Sequence, residues 1–131
     1  MKVLTCSLFA LFVLVSFSAQ AQTKKETSKA ITGYLVDKMC GSTMAKKSAD
    51  KAMESAAKHT KQCAMEEGCA ESGYGLMMNG KWMAFDETGN KKAAEYLKKT
   101  KATDHLLVAV SGTQMKDKIA VASIKEAKEK K

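Results

Sequence analysis

From Ile31 onward the chain opens with a β-rich run, switches to a helical period, then returns to short apolar runs separated by turn residues. Ile31 to Lys38 (ITGYLVDK) is rich in β-branched and aromatic residues and predicts a first strand ending at Met39-Cys40-Gly41. Ala49 to Ala64 carries the clearest helical pattern. At 100° per residue, Ala49, Ala52, Met53, Ala56, Ala57, His59, Thr60, Cys63 and Ala64 share one face. Ser48 stands as its N-cap, and Gly68 follows as a stop signal. Tyr74 to Met78 and Lys81 to Phe85 flank Asn79-Gly80, a pair suited to a tight hairpin because both turn residues must accept positive φ. Lys91 to Thr100 predicts a short amphipathic helix, and Leu106 to Ser111 with Ile119 to Ile124 a second hairpin.

The expected order is strand, helix, hairpin, helix, hairpin. This predicts a mainly β protein with helices (α+β), built as a five-stranded OB-like Greek-key barrel. A helical insertion separates the first two strands, and a short helix separates the third and fourth. TGYLVDKMC, HTKQCAMEEGCAESGYG and LLVAVSGTQMKDKIAVASI together resemble a group of small exported bacterial OB-like domains with a Cys/His-containing helical insertion. The resemblance covers most of residues 31–124 and brings no activity with it.

Composition changes the picture at the ends of the chain. Lys2, the uncharged apolar stretch Val3 to Phe17, and Ala19-Gln20-Ala21 match a signal peptide spanning residues 1–21. The expected mature protein comprises a polar leader at 22–30, the domain at 31–124 and a lysine-rich tail at 125–131. It is exported, periplasmic or secreted, and not an integral membrane protein after cleavage. Cys6 and three of the four phenylalanines leave with the signal, so the core rests on Val, Ile, Leu, Met, Ala, three tyrosines and Trp82.

The net charge of +8 comes entirely from lysine. Without arginine the usual bidentate contacts to phosphate and guanine are missing, and nucleic acid is not an expected partner. The lysines read as a solvated surface, with weak association to anionic envelope surfaces as the functional alternative. The partner itself is not specified. Met53, Met77, Met78 and Met83 are expected to fill core gaps, and Asp37, Asp86 and Asp104 to serve strand ends and turns.

The chemistry concentrates in Cys40, His59, Cys63 and Cys69. His59 and Cys63, four apart on one predicted helix, could ligate one ion, with Cys40 and Cys69 arriving from the ends of the flanking strands. Three thiolates and an imidazole suit tetrahedral Zn²⁺. Soft sulfur at Met39, Met44 and Met65 makes copper the second choice. The chain thus reads as a non-enzymatic metal-binding or small-ligand-binding module. One alternative is a domain stapled by Cys40–Cys69 or Cys63–Cys69, binding a saccharide or peptide through Tyr74 and Trp82. Another is a thiol enzyme using Cys63 and His59.

Overall fold

The structure is a computed structural model describing residues 30–128. The predicted signal peptide with Cys6, the leader up to residue 29 and the last three lysine-tail residues lie outside the described residues. Five strands form the sheet: β1 (Ile31–Asp37), β2 (Tyr74–Met78), β3 (Lys81–Phe85), β4 (Leu107–Gln114) and β5 (Lys118–Glu126). Helices α1 (Lys38–Met44), α2 (Ala49–Ala57), α3 (Lys61–Met65) and α4 (Glu67–Ser72) lie between β1 and β2, and α5 (Glu87–Lys99) lies between β3 and β4. The fold class is therefore mixed α+β.

The sheet closes in a ring in the order β1-β2-β3-β5-β4, with β4 returning to β1. Every pairing is antiparallel except a short parallel contact of Ala84 and Phe85 with Lys118 and Ile119. The expected turn forms at Asn79 and Gly80, whose φ angles are 49° and 74°. Among the described residues, no helix is long and apolar enough to cross a membrane.

Period-2 alternation divides the core in two. Leu35, Leu76, Val108, Val110, Ile119 and Val121 pack with Ala93 and Leu97 of α5. Tyr34, Val36 and Met77 point to the other face, where Ala52 and Ala56 of α2 cover them. That cover explains why β1 is buried on both faces from Gly33 to Asp37. Asp86 caps α5 by accepting from Gly89 N at 2.8 Å, and the same oxygen accepts from Val121 N at 3.2 Å. The expected turn residue thus ties α5 to β5.

The insertion departs from the sequence reading in three ways. The first strand, expected to run through Lys38 and end at Met39-Cys40-Gly41, stops at Asp37, and Lys38 to Met44 is the helix α1. Gly68, expected beyond a helix end, lies inside α4. The single helix Ala49 to Ala64 is two helices, and the exchange of one hydrogen bond explains the break. In a continuous helix Lys61 N would donate to Ala57 O. Instead Ala57 O accepts from His105 N at 3.0 Å, and Lys61 N donates to Thr103 O at 2.7 Å. Thr60 then caps α3, its Oγ1 accepting from Cys63 N at 3.1 Å.

Trp82 rests against the backbone of Gly41, and its Nε1 donates to Val36 O at 3.3 Å. A methyl group at Gly41 would collide with the indole ring. At Gly68 nothing lies within 4 Å of an added Cβ. Gly41→Ala should therefore cost about 1–3 kcal/mol in denaturant unfolding. Gly68→Ala should be neutral or stabilise by up to about 1 kcal/mol. Equal effects of the two substitutions would contradict this packing.

Candidate metal centre

The site is built at the end of β1. Alternation places Asp37 on the same side as Leu35, and its register partner across β2 is Tyr74. Asp37 is wholly buried, so its carboxylate requires partners. Oδ1 accepts from Cys40 N at 2.9 Å, which makes Asp37 the N-cap of α1. Oδ2 lies 2.7 Å from Nε2 of His59, itself 5% exposed. A carboxylate accepts, so Nε2–H is the donor.

Each cysteine occupies the third position of a short helix. Cys40 follows the cap Asp37, Cys63 follows the cap Thr60, and Cys69 follows the cap Glu66. The three helices bring the thiols together, with Cys40 Sγ and Cys63 Sγ 4.0 Å apart. One ligand atom from each of Asp37, Cys40, Cys63 and Cys69 lies within 4.8 Å of all the others. The cysteines are half-buried and not joined by a disulfide.

The structure thus brings together the three cysteines singled out in the sequence and gives His59 a different place. Because the helix breaks at residues 58–60, His59 and Cys63 do not share a helical face. His59 turns to Asp37, and no hydrogen bond among the described residues links it to a cysteine. The fourth member of the compact set is Asp37, read in the sequence as a strand-end residue. One signal for it was present: Asp37 and Cys40 have the cap-to-third-position spacing that recurs at Thr60–Cys63 and Glu66–Cys69.

Tyr74 and Trp82, the residues expected on a ligand-binding face, both pack against the insertion. Tyr74 is 4% exposed, and its hydroxyl donates to Ala64 O at 3.0 Å, holding α3 against the sheet. Trp82 is half-buried in the packing against Gly41 and Val36.

The electrostatics of the site are those of clustered acids. Burial, then the Asp37 charge and the neighbouring Cys63, push the Cys40 thiol up to about 12. Desolvation and Asp37 raise Cys69 as well. Burial also raises the Tyr74 hydroxyl, with Asp37 and Cys69 adding to the effect. Burial lowers His59 despite the opposing pull of Asp37, which favours the neutral imidazole. No lysine is ion-paired to Asp37 among the described residues. Four acidic groups converge, and a cation is what would let them ionise together.

Comparison with protein-family models, with curated proteins and with solved structures finds no match. The chemistry of the site rests on its own geometry.

A nucleophilic cysteine needs a stabilised thiolate, and Cys40 is pushed the other way. Alkylation of metal-free protein by iodoacetamide at pH 8 should be at least about tenfold slower at Cys40 than in the unfolded chain. A folded-state rate equal to the unfolded one would contradict the shielding by burial and Asp37. Site-resolved mass spectrometry over a time course makes the comparison.

Proposed function

We propose that the protein is an exported, non-enzymatic metal-binding module, with Asp37, Cys40, Cys63 and Cys69 holding one ion. The observation that carries this reading is the convergence of four ligand atoms within 4.8 Å of one another. Zinc is the first choice. Tetrahedral Zn²⁺ with thiolates at about 2.3 Å needs sulfurs about 3.8 Å apart, close to the 4.0 Å between Cys40 and Cys63. Three thiolates and a carboxylate fill all four positions, which suits a structural or carried ion rather than a catalytic one.

Copper is the second choice, because soft sulfur ligands favour Cu(I). Met39 beside Cys40 and Met65 near Cys63 are two of the exposed large apolar residues, 58% and 41% accessible. They could present thioethers around the thiols. The scaffold reading is an OB-like barrel, supported by the strand order, the parallel β3–β5 contact and α5 between β3 and β4. Export rests on the N-terminal sequence pattern, and an oxidising compartment sets the second functional reading. There Cys40 and Cys63, the thiols 4.0 Å apart, would close a disulfide after moving about 2 Å together. The protein would then be a stapled binding domain with Cys69 left over. Neither reading assigns a nucleic-acid partner, and weak contact with anionic envelope surfaces remains the role open to the lysines.

Titration of reduced protein with Co²⁺ or Zn²⁺ tests the assignment. One equivalent should bind, Co²⁺ should show thiolate charge-transfer absorption, and the unfolding temperature should rise. Affinity should increase from pH 6 to pH 8, because thiols held protonated must release protons to the solvent as the ion binds. Cys69→Ser should weaken binding by at least about tenfold. Absence of a thiolate band, or affinity indifferent to pH, would count against the site.

A further inference from the structure

We infer that His59 is a positioning residue that sets the metal selectivity of this site, acting through Asp37 rather than as a ligand. The inference rests on the metal-binding reading above and extends it to the choice between ions.

The argument starts from the two oxygens of Asp37. One is fixed by Cys40 N at 2.9 Å and the other by His59 Nε2 at 2.7 Å. The side chains of Asp37 and His59 are 0% and 2% exposed, so water does not replace either contact. The carboxylate plane is therefore fixed by the protein before any ion arrives. Each oxygen retains a lone pair beyond the bond it accepts, and the carboxylate lies in the compact set with the three thiols.

Metal sites commonly place histidine on the ion with a carboxylate behind it. Here the order is reversed: the carboxylate stands with the thiols, and the imidazole stands behind the carboxylate. His59 is held in turn by the helix break. Its N–H donates to Ala56 O at 3.2 Å, while His105 takes the adjacent carbonyl of Ala57. The break that removes His59 from the face of Cys63 is thus what aims it at Asp37.

The consequence differs between ions. Zn²⁺ and Co²⁺ complete a tetrahedron and draw on the oxygen as the fourth ligand. Cu(I) is satisfied by soft thiolates and has little use for a carboxylate. A group that positions Asp37 should matter for the first class and not for the second. A group that merely supports the fold should matter equally for both, because all three thiols depend on the same helices.

The test compares four proteins: the parent, His59→Gln, His59→Leu and Asp37→Asn. Each is titrated reduced with Zn²⁺, with Co²⁺ and, anaerobically, with Cu(I) against a competing chelator. His59→Leu should weaken Zn²⁺ and Co²⁺ binding about 10–100-fold, the range typical of lost outer partners. Its Cu(I) affinity should change by less than about threefold, since the thiolates are intact. His59→Gln keeps an N–H donor and should recover much of the Zn²⁺ affinity. Asp37→Asn should reproduce the selectivity shift while keeping a side-chain oxygen to cap α1. The Co²⁺ spectrum should move away from intense tetrahedral bands in His59→Leu and return in His59→Gln.

Parallel losses for Zn²⁺ and Cu(I) would overturn the positioning role while leaving the metal site standing. So would a His59→Gln variant as weak as His59→Leu, which is the signature of a directly ligating imidazole. A parent that binds none of the three ions would overturn the metal reading and this inference with it. If His59→Leu does not fold, His59→Gln and Asp37→Asn decide between the same outcomes.

Discussion

A single buried carboxylate organises the part of this protein that is not barrel. Asp37 ends β1 on the inward-facing side, wholly removed from water. An unpaired charge there would be prohibitive, so the chain must bring donors to it. The first donor is local, the backbone N–H of Cys40, and forming that bond starts α1. The second comes from 22 residues away, His59 just beyond the C-cap of α2. Satisfying one side chain thereby fixes where the insertion begins, and the break after α2, set by His105 and Thr103, supplies the second donor. The three cysteines are placed as a consequence, each early in a helix whose start is set by this arrangement or by its neighbours.

The strands of the closed sheet were largely legible in the sequence. Short β-rich and apolar runs, the Asn79-Gly80 turn and an amphipathic segment after Phe85 all rest on local rules, and local rules suffice for them. The insertion was less so. The pattern from Ala49 to Ala64 is compatible with one helix, and nothing within it announces the break. The cause lies in residues 103–105, which compete for Ala57 O and Lys61 N. A hydrogen-bond exchange across more than 40 residues leaves no trace in periodicity. The three cysteines were recognisable as chemistry, but the fourth group was assigned to His59 by helical spacing that the structure does not have. The recurring cap-x-x-Cys spacing was the better guide, because it follows from capping geometry whatever the tertiary fold.

The two cores have unequal resources. The barrel cluster contains leucines, valines, isoleucine, Phe85 and the apolar face of α5. The insertion offers the sheet mainly Ala52 and Ala56, with half-buried Met44 and Met53 beside them and Trp82 of β3 packed against the same cluster. Small side chains let α2 approach β1 and β2 closely but remove little apolar surface from water. Helices α1, α3 and α4 have 7, 5 and 6 residues. Such lengths are marginal in isolation, because nucleating a helix fixes several residues for the first bond. Stability here must come from tertiary contacts: Trp82 over Gly41, Tyr74 to Ala64, and the pair of Asp37 with His59.

That inequality says what an ion at this site would do. A metal held by Cys40, Cys63 and Cys69 joins three short helices at one point, and Asp37 joins them to β1. The free energy of ligation would act where the apolar core is thinnest, because ligand binding and ordering of the ligating segments are the same event. Regions of few buried contacts open first, while a closed sheet with a full interior opens last. Protection gained on metal binding should thus concentrate in residues 38–72 and leave β4 and β5 little changed. The site is then a clasp for the insertion rather than a support for the barrel.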